Sequence, residues 1–112
     1  MIRPATHPFD AFLLSLDQGD APPFATPMLR AIRHGLRGDW HAAHELAQAQ
    51  DDAEGAWVHA WLHRIEGDLG NADYWYRHAH RPPRRDDTRT EGLAIARELI
   101  ESTGDARPGG TL

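Results

Sequence analysis

Apolar side chains recur three and four positions apart along most of the chain, and no segment of useful length alternates apolar with polar. The first spacing lines one face of an α-helix, whereas alternation marks a half-buried strand. Phe9, Phe12, Leu13 and Leu16 predict a short helix over about residues 8–17, followed by a proline-rich irregular connection at 19–27. Thr26 and Pro27 then supply a capping hydroxyl and a proline at the first helical position. Met28 or Leu29, Ile32 and Leu36 line that second helix, which Gly38 closes. Trp40, Ala43, Leu46 and Ala47 mark a third helix, ending near Asp51 and Asp52. Trp57, Ala60, Trp61 and Ile65 mark a fourth, ending at Gly67. Leu69, Ala72, Trp75 or Tyr76 and Ala79 mark a fifth, stopped by Pro82 and Pro83. Thr88 to Glu91 fits a capping box with Thr88 as the cap, and Leu93, Ala96, Leu99 and Ile100 carry a sixth helix over about 88–103. The expected fold class is all-α: a single domain over 1–104 with a disordered tail at 105–112.

The middle of this pattern repeats. Gly38-Asp39-Trp40 and Gly67-Asp68-Leu69 stand 29 residues apart, and at the same offset Ala31 falls on Ala60, His34 on His63, Leu36 on Ile65, Ala43 on Ala72 and Leu46 on Trp75. A fixed period with a glycine-aspartate turn between amphipathic helices marks a helical repeat whose hairpins bury their faces by stacking. Gly67-Asp68-Leu69, Ala72, Tyr76, Ala79 and Pro82 resemble the turn and second helix of a tetratricopeptide repeat. Gly38-Asp39-Trp40 and Ala43 repeat its first part, with Ala47 in place of the aromatic. The resemblance covers about residues 27–83 and implies a short stack of helix hairpins with a capping helix at each end. The period is shorter than the family's usual ~34 residues. The run from Trp57 to Arg64, continued through Glu66-Gly67-Asp68 and Tyr74 to Arg77, also resembles a group of short, uncharacterised bacterial proteins and brings no activity with it.

Composition narrows the chemistry. With no cysteine and no lysine among 112 residues, disulfides, thiolate nucleophiles, Cys-ligated zinc, Schiff bases and the P-loop lysine are excluded. The formal net charge of -5 argues against a general nucleic-acid binder. No apolar run is long enough to span a bilayer, and Asp10 breaks the one N-terminal apolar stretch, so a cytoplasmic location is expected. Ser15 and Ser102 sit in no nucleophile elbow, and Gln48 stands where a zinc-protease motif beginning His44-Glu45 needs its second histidine. The sequence therefore points away from an enzyme.

Two constellations remain. His41 and His44 lie three apart on the third helix, and His59 and His63 lie four apart on the fourth, with Glu66 a step further along the same face. If those helices run antiparallel, His41 folds toward His63 and His44 toward His59. Four imidazoles would then converge in a donor set suited to zinc, nickel, copper or iron. The second constellation is aromatic and basic: Tyr74, Trp75, Arg77 and Arg81, with Glu66 and Arg64. Tyr74, Trp75 and Tyr76 point about 100° apart in succession, so at least one faces outward. Aromatic and arginine side chains dominate binding hot spots. The leading expectation is thus a groove for a protein or peptide, or for a second copy of the chain as a homodimer. A transition-metal centre, structural or that of a metalloenzyme, is the alternative, and phosphate contact through Arg77, Arg81, Arg84, Arg85 and Arg89 a weaker one.

Overall fold

The computed structural model describes residues 8–19 and 26–105, and among them it is all-helical, with six α-helices and no strand. They are α1 (Pro8–Ser15), α2 (Pro27–Leu36), α3 (Trp40–Ala49), α4 (Ala53–Ile65), α5 (Leu69–Ala79) and α6 (Thr88–Asp105). Each matches a helix read from the sequence. Most of the connection at 19–27, and the tail past Asp105, lie outside the described residues. No helix among the described residues is long and apolar enough to cross a membrane.

One joint is used twice, 29 residues apart. Gly38 and Gly67 take φ values of 91° and 89°, a left-handed conformation that glycine enters without a Cβ penalty. At the first joint the N–H of Gly38 donates to Gly35 O (3.2 Å) and that of Asp39 to His34 O (2.8 Å). At the second, Gly67 donates to Arg64 O (3.0 Å) and Asp68 to His63 O (2.9 Å). Each is a Schellman closure that satisfies the last carbonyls of one helix. The aspartate then caps the next helix directly: Asp39 accepts from Ala42 N–H and Asp68 from Asn71 N–H, both at 3.2 Å. With no spare residue between closure and cap, α3 folds back on α2 and α5 on α4.

Helix α4 is the centre of the molecule, packed on α2, α3, α5 and α6. Every residue from Gly55 to Arg64 is buried, so this helix has no solvent face along those ten positions. Val58, Trp61 and Leu62 join Met28, Ile32, Tyr76 and Ile95 in the core. The polar residues of the same stretch, His59, His63 and Arg64, are carried inside with them, where a polar group is costly unless bonded. Ile65 and Leu69, read from periodicity as core positions, flank the second joint and are exposed.

The start of α6 departs from the expected capping box. Asp87 is the residue that caps it, accepting from Thr90 N–H (2.9 Å) and Thr90 Oγ1 (3.2 Å). Glu91 turns inward instead and is fully buried. Its Oε1 accepts from Arg64 Nη1 and its Oε2 from Tyr76 O–H, both at 2.5 Å. One carboxylate thus ties α4, α5 and α6 together.

Candidate metal centre

The centre is built from the facing sides of α3 and α4. His44 sits one helical turn after Trp40, whose indole N–H donates to Leu62 O of α4 at 2.7 Å. The pinned Trp40 ring stacks on His44 (centroids 4.6 Å apart, planes 12°) and fixes its imidazole against α4. On α4, His59 and His63 are one turn apart and stack at 4.9 Å. The other face of His59 is covered by Trp75 of α5, 4.0 Å away and nearly parallel. Both α4 histidines are buried, each 6% exposed, while His44 is half-buried.

The three imidazoles converge. His44 Nε2 and His59 Nε2 are 3.0 Å apart, and the three side chains can each offer a ligand atom within 4.8 Å of the others. Two nitrogens sharing one zinc at ~2.0–2.1 Å stand roughly 3.3–3.4 Å apart in a tetrahedron. The observed pair lies close to that. His63 Nδ1 is 2.7 Å from Glu66 Oε2. An ionised carboxylate only accepts, so Nδ1 carries the proton and Nε2 keeps its lone pair. A carboxylate orienting a ligand imidazole in this way is the usual outer support of a metal site.

His41 does not join the group. It is exposed, and its ring meets Trp40 edge-on at 5.6 Å. The expected set of four is therefore a set of three. Trp40 fills the place assigned to His41, lying 6.1 Å from the His63 ring. At about 100° per residue Trp40 and His41 lie on opposite sides of His44 around α3, and it is the Trp40 side that packs on α4, so His41 is left outside. A second group, His63, Glu66 and Asp68, also lies within 4.8 Å, but here Glu66 holds His63 and Asp68 caps α5.

The aromatic and basic constellation does not form one groove. Arg64 is 9% exposed and bound to Glu91 and to the carbonyl of Asp86, so it is unavailable to a partner. Arg81 lies 3.7 Å over the Trp57 ring and bonds Glu98, while Glu66 is engaged with His63. Trp75 is half-buried on His59, and Tyr76 is in the core. Of that set Tyr74 and Arg77 are exposed, and the Tyr74 ring packs edge-on on Trp75 (5.2 Å) and against His78 (4.4 Å). In the arginine-rich stretch Arg84 bonds Asp86 and Arg85 bonds Asp73, so carboxylates already occupy guanidiniums that a phosphate would need.

Electrostatics oppose protonation at two of the three histidines, His59 and His44. Burial, and then the neighbouring His44 and His63, hold His59 down to about 4. His44 is also lowered, mainly by burial and by His63, with Glu66 opposing. The groups facing His59 are these two histidines and, across α5, the neutral Trp75. Between pH ~6.5, where a free histidine titrates, and about 4, the unfolded chain takes up a proton that folded His59 refuses. Stability of the metal-free protein should therefore fall as pH drops through that window, by about 1–3 kcal/mol, and stay level just above it. Urea denaturation at stepped pH checks this; a midpoint unchanged from neutral pH to the bottom of that window would contradict it.

Beside the centre lies a cavity of about 300 Å³ whose wall includes His59, Trp75 and Ala56, with Gln48, His78 and His80 around it. Comparison with protein-family models, curated proteins and solved structures found no match to this chain.

Proposed function

We propose that this protein binds a transition-metal ion through His44, His59 and His63. The observation that carries the reading is the convergence of three imidazoles, two of them buried, with one held by Glu66 in the tautomer that leaves its outer nitrogen free. Imidazole-only donor sets suit zinc, copper(II), nickel(II) and iron(II), and without cysteine the site lacks the thiolates that soft ions prefer.

Elemental analysis of protein purified without a histidine tag should find close to one transition-metal ion per chain, removable by chelator. Restoring zinc at about a hundred times its dissociation constant should stabilise the fold by ~2.7 kcal/mol. His44→Ala, at the half-buried ligand, should remove that gain while leaving the chain folded. Glu66→Gln should weaken affinity by roughly 10–100-fold, since it takes away only the orienting carboxylate. Protein that is metal-free as purified and melts identically with and without zinc would overturn the proposal, leaving the 3.0 Å contact as a hydrogen bond between neutral imidazoles.

A second reading, a protein-interaction face, rests on exposed Tyr74 beside Arg77, three residues apart on one face of α5. A Tyr74→Ala/Arg77→Ala variant that keeps every partner captured by the wild type would count against it.

A further inference from the structure

We infer that the ion held at this centre keeps one exchangeable coordination position, open to water and small anions that arrive through the cavity beside His59. The inference rests on the metal-centre reading. Among the described residues, three donors come within 4.8 Å of one another at the imidazole cluster, and no carboxylate joins them. Glu66 is committed to His63 Nδ1, on the far side of that ring from its free nitrogen. The neighbours that close the flanks, Trp40 on His44 and Trp75 on His59, offer carbon faces, and the Trp40 N–H is spent on Leu62 O. Zinc and its neighbours in the first transition row take at least four ligands. Among the described residues nothing supplies the remaining ligand, which leaves that position to solution.

The ligand class follows from charge and size. Three neutral imidazoles cancel none of the ion's charge, so the cluster keeps a local double positive charge in a buried setting and favours an anion in the last position. The route limits what can arrive. The cavity of about 300 Å³ touches His59 and Trp75, with Asp51, Asp52, His78 and His80 in its wall. Its size admits small ligands, and acidic residues along it repel an anion in proportion to its charge, which favours hydroxide, azide, cyanide and their like. Three protein ligands with a solvent-held fourth is the arrangement of hydrolytic zinc sites, as distinct from closed structural ones.

Cobalt(II) is the probe, because its visible absorption reports the number and type of its ligands. The full chain loaded with cobalt should change spectrum saturably as azide is added. Ala53→Trp, at the exposed start of α4 in the cavity wall and not within one helical turn of a ligand, should bind cobalt as the wild type does and weaken azide binding by about tenfold or more. A cobalt spectrum indifferent to azide would show a closed site and overturn the inference while leaving metal binding intact. Equal azide binding in Ala53→Trp would remove the cavity as the route. Failure to take up cobalt, zinc or nickel at all would instead bring down the metal-centre reading beneath it.

Discussion

Glu91→Ala will destabilise the protein by about 3–5 kcal/mol, the range for removing one partner of a buried ion pair. Total stability of a small domain is only ~5–15 kcal/mol, so a large part of the variant should be unfolded near its former melting point. Three things concentrate the effect. Glu91 is 0% exposed, and its partner Arg64 is 9% exposed, so neither charge can fall back on water. Both carboxylate oxygens are used, one by Arg64 Nη1 and one by Tyr76 O–H. What remains to Arg64 is weaker: Nη2 reaches the carbonyl of Asp86, the exposed Asp86 carboxylate lies 3.8 Å from Nη1, and Nε is already buried without a partner. Burial, reinforced by the hydrogen bond to Glu91, pushes the Tyr76 phenol well above its ordinary range, so it stays a neutral donor. The shape of the loss is testable by double substitution. Arg64→Met with Glu91→Leu removes both charges and keeps apolar volume, and such exchanges are often neutral or stabilising. The pair should therefore be far more stable than Glu91→Ala alone by guanidinium denaturation. If Glu91→Ala cost less than about 1 kcal/mol, the network would be decorative.

The contrast between what could and could not be read from the sequence follows the range of the interactions. Helix boundaries depend on neighbours within four residues, and the glycine-aspartate joints at 38–39 and 67–68 announce themselves in the sequence because closure and cap are both local. The burial of α4 is a tertiary fact. Only the packing of four helices around it turns His59, His63 and Arg64 inward, and periodicity alone left open which way the histidines faced. The sequence places Arg64 in the partner-binding set, and nothing local corrects that, because the carboxylate that binds it lies 27 residues away. Glu91 illustrates a local signal losing to a distant one. It stands three residues after Thr88, as a capping box requires, yet a buried guanidinium binds its charge more strongly than a helix N-terminus would. In the metal centre the histidine spacings are legible, and His44 meets His59 as an antiparallel pair requires, whereas His41 does not reach His63. The Trp40 slot was missed, although a tryptophan four residues before a histidine is itself a sequence signal for stacking on one helix face.

The other large effect sits on the opposite side of α4 from the histidines. Two residues turn a helix by ~200°, so Trp61 points away from both His59 and His63. It is fully buried, and its indole N–H donates to Thr88 O at 2.7 Å. Two glycines make room for the ring. A Cβ at Gly35 would lie 2.7 Å from the ring carbons, and one at Gly92 would overlap the same ring. Trp61→Ala should cost about 3–5 kcal/mol by cavity formation. The sharper test is the sign of Gly92→Ala. In the wild type, overpacking against a rigid buried ring costs ~1–3 kcal/mol. That exceeds the ~1 kcal/mol that alanine offers over glycine inside a helix. With Trp61→Phe, the part of the ring that meets Gly92 is gone, the methyl enters vacated space, and the helix preference prevails. Gly92→Ala should then stabilise, giving a coupling between the two sites of about 1–3 kcal/mol in a double-mutant cycle. Because the ring faces away from the imidazoles, zinc affinity of the folded fraction should hardly change across the four proteins. If Gly92→Ala cost the same in both backgrounds, the ring would not be what glycine at this position accommodates. If zinc affinity fell in step with stability, the two faces of α4 would be coupled, and the centre would depend on the core that this helix shares with α2 and α6.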